Sequence, residues 1–263
     1  MSGLVILAQR SPLSEHSIRR IAEAKKVSGV IFEERRRPAW EKLRWWFWTL
    51  PRRRGLLYCL DRMAFILYER IFLLGGEQAD VARFLSAAGG ERGLPKDIPV
   101  YEVSSVNSPE ALAVLGRLQP DIILVMGTSI IKEATIKTAR RMMLNIHCGI
   151  TPQYRGGGNF HALCRGDFEN VGVTIHQVDS GIDTGNILYQ ERVPFDARRD
   201  TPFRHSLRCV ERGGKLFLKA IDDIERGREK PFKKAGQDGF FLSHTLTEYL
   251  RLNRKLKGFR KLR

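Results

Sequence analysis

The strongest constraint on this chain is a series of short, continuous apolar runs separated by helical stretches. Leu4–Ala8, Val27–Phe32, Ile98–Val103 and Asp121–Met126 are such runs, and another ends in Leu144-Asn145-Ile146-His147. A strand with one wet face alternates apolar and polar residues; a run without alternation marks a strand buried on both faces. Between the runs lie helix signals. Ser11-Pro12-Leu13-Ser14 reads as a cap leading into a helix over Glu15–Lys25. Ser108-Pro109-Glu110 opens another, which ends before Pro120. Strands alternating with helices predict an α/β fold: a mostly parallel, twisted sheet with helices on both faces. A chain of 263 residues accommodates one such domain with an appendage.

Two segments fall outside that rhythm. Between the second and third strands, residues 34–96 form an insert that opens on Arg35-Arg36-Arg37, continues through Trp45-Trp46-Phe47-Trp48 and reaches Arg52-Arg53-Arg54. Beyond Gly55, Leu56, Leu57, Leu60, Met63, Ala64, Leu67, Tyr68 and Ile71 share one helical face, expected to pack on the sheet. Basic residues beside clustered tryptophans also suit residues 35–74 to an anionic membrane surface, and the same aromatics could stack on nucleic-acid bases. After Thr201-Pro202 a helix runs to about Gly227. Phe240, Phe241, Leu242, Leu246, Tyr249 and Leu250 suggest a hairpin or helix docked on the domain, with the last dozen residues mobile. The expected division is a main domain over 1–200, carrying the insert, and a helix with a basic extension over 201–263. A net charge of +16 calls for an acidic partner. Four cysteines without CxxC or CxxH spacing argue for reduced thiols and against structural zinc. Neither a secretory signal nor a membrane-length apolar run is visible, so the chain reads as cytoplasmic, membrane-peripheral if the insert docks on lipid.

The chemistry concentrates where strands meet loops. Asn145 and His147 are separated by one residue, so both leave their strand on the same face. A Pro/Gly-rich loop over Gly149–Gly158 follows, then an alternating strand over Val171–Val178 and the tight turn Asp179-Ser180-Gly181-Ile182-Asp183-Thr184-Gly185. An amide, an imidazole and a carboxylate (Asn145, His147, Asp183) can together hold an oxyanion and move a proton. Cys148 adjoins His147 but points to the opposite face. His161, on a helix, and His176, mid-strand, read as structural, and Asp179 as the cap of its own turn. In open α/β sheets ligands bind beyond the carboxyl ends of the strands, where Met126, Gly127, Ile130 and Ile131 lie; the apolar three are either a slot or ordinary core. Gly156 and Gly157 precede a helix at Asn159–Cys164, and their amides with Arg155 would suit a phosphate, although a turn needing positive φ explains the glycines equally well.

Asn145-Ile146-His147, Thr151-Pro152-Gln153-Tyr154-Arg155-Gly156, Gly172-Val173-Thr174-Ile175-His176 and Asp179-Ser180-Gly181-Ile182-Asp183-Thr184-Gly185, in this order, resemble the folate-dependent formyltransferase family, densely from Pro120 to Phe195. The resemblance implies a Rossmann-like fold, transfer of a formyl group from 10-formyltetrahydrofolate to a primary amine without a metal, and catalytic roles for Asn145, His147 and Asp183. It also implies that the loop at Met126, Gly127, Ile130 and Ile131, with Gly181 and Ile182, holds the pterin. Within the family the acceptor differs. Members acting on glycinamide ribonucleotide carry a Gly/Ser-rich loop after the first strand, where this chain has Gln9-Arg10-Ser11-Pro12-Leu13-Ser14. Members acting on methionyl-tRNA carry a C-terminal β-barrel, for which the residues after Phe195 are too few and too helical. The favoured acceptor is a nucleotide-linked amino sugar, a phosphorylated small molecule that suits the basic charge; methionyl-tRNA and glycinamide ribonucleotide are the alternatives. A different class is a non-catalytic protein on the same fold that binds anionic membrane or RNA.

Overall fold

The computed structural model describes residues 3–34, 55–89 and 93–261. The strands are β1 Leu4–Ala8, β2 Val27–Glu33, β3 Val100–Val103, β4 Ile122–Met126, β5 Met142–His147, β6 Arg155–Gly156, β7 Gly172–Gln177, β8 Ile187–Arg192 and β9 Phe240–Phe241. Among the described residues, seven of these form one sheet in the order β3-β2-β1-β4-β5-β7-β8. Strands β1 to β5 pair in parallel, whereas β7 pairs antiparallel with both β5 and β8. The mostly parallel α/β sheet expected from the apolar runs is therefore present.

Side-chain alternation along the strands sends residues to two cores. Leu4, Ile6 and Leu124 pack with Ile18 and Ile21 of the helix Pro12–Ala24 and with Phe217, Ile221 and Ile224 of the helix Pro202–Glu225. Val5, Leu7, Ile123 and Met143 pack on the other face with Ala111, Val114 and Leu115 of the helix Pro109–Leu118. Each of these helices starts where the sequence places a cap: the hydroxyls of Ser11, Ser108 and Thr201 accept the N–H of Ser14, Ala111 and Arg204. The apolar face of Pro202–Glu225 thus closes one side of the sheet.

Two expectations change. The insert helix Leu56–Tyr68 does not lay its leucine face on the sheet: Leu56, Leu57, Leu60, Met63, Leu67 and Ile71 are exposed. It is anchored by the opposite face. Tyr58 Oη and Arg62 Nη1 donate to the carbonyls of Ser243 and His244, Asp61 accepts the Thr247 N–H, and the buried Phe65 ring meets His244 edge-on at 4.4 Å. Nor do the described residues of the last dozen trail off. Leu246–Lys261 is a helix, and Leu252 and Leu256 are buried against Tyr154, Phe160 and Leu163. The arginine and tryptophan clusters at 35–37, 45–48 and 52–54 lie outside the described residues.

Candidate active site

Strand β5 carries the site. Its pleat sends Met143, Asn145 and His147 to one face and Leu144, Ile146 and Cys148 to the other. Antiparallel pairing sets β7 alongside, with His176 opposite Asn145 and Thr174 opposite His147. The turn after β7 then folds back. Asp179 caps it, accepting from the Gly181 N–H at 3.1 Å and the Thr184 hydroxyl at 2.6 Å. That turn holds Asp183 at φ 54°, in the left-handed region that a non-glycine residue occupies at a cost of about 1–3 kcal/mol. The strained residue is the one whose carboxylate enters the site.

Asp183 Oδ2 accepts the Gly156 N–H at 2.9 Å and stands 3.3 Å from His147 Nδ1, while Oδ1 is 3.4 Å from His176 Nε2. His147 Nε2 lies 2.7 Å from the Tyr154 carbonyl, which can only accept, so Nε2 carries a proton. In the neutral imidazole Nδ1 is therefore the lone pair, aimed beside a carboxylate. Gly149 permits this packing: a Cβ there would run into His147 Nε2 and the Tyr154 carbonyl. By the same reasoning His176 carries its proton on Nδ1, 2.7 Å from the Gln177 carbonyl, and Nε2 accepts from Asn145 Nδ2 at 3.2 Å. His176 thus orients the Asn145 amide.

Electrostatics set the protonation states. Burial pushes the His147 pKa below its ordinary 6.5; Asp183 and the Tyr154 carbonyl only partly oppose this. Burial would raise Asp183, but the protonated forms of His176 and His147, with the Gly156 N–H, together hold it down at about 2. Desolvation costs the imidazolium more than the carboxylate returns, so the resting pair is neutral imidazole and anionic carboxylate. This is a base whose conjugate acid already has its counter-ion in place. Cys148 faces away, and burial raises its thiol to about 11, which disfavours a nucleophilic thiolate.

A cavity of about 340 Å³ opens over these groups. Asn145, His147, His176 and Asp183 line one wall; Gly127–Ile131 and Gly181–Ile182 line the others. Gly127, at φ 68°, has open space where a Cβ would stand. The loop is held from behind by Glu33 at the end of β2, only 3% exposed. Its carboxylate accepts the Ser129 N–H at 2.7 Å, the Ser129 hydroxyl at 2.5 Å and the Val106 N–H at 3.2 Å. Asn107 adds a clamp, donating to the Ile130 carbonyl at 2.9 Å and accepting the Lys132 N–H at 2.7 Å. A space of this size between two loops suits a small-molecule ligand. Among the described residues no group of three or more His, Cys, Asp or Glu side chains is placed to hold a metal ion.

Several expected residues stand elsewhere. Met126 turns to the other face of the sheet and lines a second cavity, of about 520 Å³, with Gln9, Arg10, Ser11, Cys148, Val210 and Phe217. Gly127 and Ile146 line both cavities. Ile130 and Ile131 do line the first, the former exposed and the latter buried against the core. The amides expected to await a phosphate are committed: Gly156 N–H to Asp183, and Gly157 N–H to the Phe241 carbonyl at 2.8 Å. Arg155 is paired twice with Asp238 at 2.6 Å and donates to the Ile182 carbonyl at 2.9 Å. Its role here is to brace the turn carrying Asp183. His176 and Glu33 were missed by sequence reasoning. An acidic residue closing an apolar run was the available signal for Glu33; His176 had none without the pairing of β5 with β7.

Residues 76–221, more than half of the chain, match the family described as formyl transferase. Among curated proteins, methionyl-tRNA formyltransferases from Acidithiobacillus ferrooxidans and Marinobacter nauticus are 33% and 35% identical over 143 and 136 residues. Those stretches are 54% and 51% of this chain but 45% and 43% of the relatives, so the chain spans less than half the length of the curated proteins it matches. Of solved structures, a sugar N-formyltransferase from a Shewanella species superposes with a TM-score of 0.58 at 14% identity, over 97% of this chain and 87% of that one. Phosphoribosylglycinamide formyltransferase from Streptococcus pneumoniae gives 0.54 at 20%, over 86% and 99%. At such identities the likeness is one of fold.

Proposed function

The chain belongs to the formyl transferase family, and from that premise we propose that it transfers a formyl group from 10-formyltetrahydrofolate to a primary amine at the cavity over β5. The observation that carries this reading is the convergence of Asn145, His147 and Asp183 on one wall, with His147 Nδ1 and Asp183 Oδ2 at 3.3 Å. The folate derivative supplies the activated formyl group. Its pterin fits the slot formed by the backbone of Gly127–Ile131 and Gly181–Ile182. At the reacting centre, the Asn145 amide, aligned by His176, donates a hydrogen bond where negative charge develops on oxygen. His147 takes the proton of the attacking amine at Nδ1, the nitrogen left free by its bond to Tyr154, Asp183 stabilises the resulting cation, and the proton passes on to the folate nitrogen as its bond to the formyl carbon breaks.

For the acceptor we favour a nucleotide-linked amino sugar. The second cavity offers the polar groups of Gln9, Arg10, Ser11 and Ser14 opposite the apolar Val210 and Phe217, a mixture suited to a sugar ring with a charged neighbour. The +16 net charge favours a diphosphate. A methionyl-tRNA acceptor is the second reading, supported by the identity to methionyl-tRNA formyltransferases. The test is to incubate purified protein with 10-formyltetrahydrofolate and either a panel of amino-sugar nucleotides or charged initiator tRNA, and to look by mass spectrometry for the gain of one carbonyl. Formylation of a sugar supports the first acceptor and formylation of tRNA alone the second. Turnover retained in His147→Ala would defeat the site.

A further inference from the structure

The exposed face of the insert helix has no partner among the described residues. Leu56, Leu60, Met63, Leu67 and Ile71 form one stripe at helical spacing, with Leu57 at its edge 83% exposed. Nothing in helix propensity requires leucine there, and a contiguous apolar stripe on a surface helix marks an interaction face. The opposite face is fixed to the body through Tyr58, Asp61, Arg62 and Phe65, so the stripe cannot simply roll inward.

Charge identifies the occupant. We propose that this stripe docks on an anionic phospholipid surface, the apolar residues entering the headgroup boundary while the anchored face holds the catalytic body above it. The sequence just before the helix, residues 35–54, carries eight arginines and lysines against the single acid Glu41, and all four tryptophans of the chain. Phe65 and Tyr68 pack the insert helix on Tyr249 of the helix Leu246–Lys261, whose Arg251, Arg254 and Lys257 are exposed. Apolar residues beside cations and tryptophan are the chemistry of interfacial helices on anionic lipid; a protein partner would need neither the tryptophans nor the excess of one sign. Among the described residues no helix is long and apolar enough to cross a membrane, so the contact lies in the interface plane. The proposal stands independently of formyl transfer.

The test uses the full chain with sucrose-loaded vesicles of phosphatidylglycerol and phosphatidylcholine against vesicles of phosphatidylcholine alone. The protein should sediment with the former and not the latter, and high salt should weaken the association. The triple substitution Leu57→Glu, Leu60→Glu, Leu67→Glu should lower the partition coefficient by about tenfold or more. Glutamine at the same three positions should also lower it, which separates lost apolar contact from charge repulsion. Equal sedimentation with both vesicle types, insensitivity to salt, or unchanged binding in the glutamine variant would overturn the proposal. So would a dimer in light scattering that these substitutions convert to monomer, since the stripe would then be the seat of a second copy.

Discussion

Replacing Asp183 by asparagine isolates the charge of the carboxylate from its shape. The amide oxygen can still accept the Gly156 N–H, now 2.9 Å from Oδ2, so the turn at φ 54° keeps its tie to β6. What disappears is the anion beside His147. The partners of Asp183 hold its pKa at about 2 against an ordinary 3.8. That lowering favours the charged form by an amount on the order of 2 kcal/mol, the opposing cost of burial included. Part of it belongs to His176 and Gly156, so it sets the scale of the loss without assigning all of it to one pair. If the same carboxylate steadies the imidazolium as the amine proton arrives, kcat/KM should fall by roughly 30- to 100-fold. The sign on pH is also fixed. Removing an anion disfavours the His147 cation, so a pKa already depressed by burial moves further down. The acid limb of the kcat/KM profile, where protonated His147 is inactive as a base, should therefore shift to lower pH. Steady-state formylation rates across pH 5 to 9 read both effects, with tetrahydrofolate binding as the control for an intact pocket. A variant within about threefold of the parent at every pH, with an unmoved acid limb, would refute the pairing as the source of catalysis.

Other outcomes follow from the same geometry. His147→Ala should cut kcat by about 10²- to 10⁴-fold while tetrahydrofolate still binds in calorimetry, because the walls proposed for the pterin come from other segments. Glu33→Gln, which weakens the hold on Ser129 and Val106, should raise the KM for the folate donor about tenfold with kcat little changed. Cys148→Ala should leave turnover within about threefold, and iodoacetamide at neutral pH should leave the residue unmodified by peptide mapping, because burial holds its thiol at about 11. His244, stacked on Phe160, is held by burial at about 4 rather than 6.5, so its stabilising contribution is complete above 6.5 and is lost as pH falls toward 4, roughly 2 kcal/mol of it by pH 5. His244→Phe should flatten that part of the urea-midpoint-versus-pH curve.

How much of this could be read from sequence depends on the range of the information. Unbroken apolar runs such as Leu4–Ala8 reported burial on both sheet faces, and the single-residue spacing of Asn145 and His147 reported a shared face; both are local properties of a strand. Asp183 stood out because it lies in one of the motifs that carry the family resemblance. The place of His176 beside Asn145 was not legible, since it arises from antiparallel pairing between segments separated by a loop and a helix. The insert helix shows the limit of periodicity: its leucine stripe was found correctly, but amphipathicity does not say which medium the apolar face meets. Phe65, on the other side, is the residue buried. At the C-terminus, basic composition suggested mobility and obscured the spacing of Tyr249, Leu252 and Leu256, which gives the helix one apolar face.

The same pleat that groups Asn145 with His147 also divides the site in two. The first cavity lies on the face of β5 that holds the polar trio; the second lies on the opposite face, against Cys148 and the helix Pro202–Glu225. Gly127 and Ile146 line both, so the two spaces are neighbours at the carboxyl ends of β4 and β5. A ligand in each would approach the same point from opposite sides, and neither would have to leave before the other entered. Donor and amine would then bind independently, and substitutions should act separately: Ile182→Ala should raise the KM for the folate donor alone, and Val210→Ala that for the amine alone. Initial-rate patterns with both substrates varied provide the check. If either substitution raises both KM values equally, the two cavities act as a single site, and the face-by-face division of β5 does not divide the chemistry.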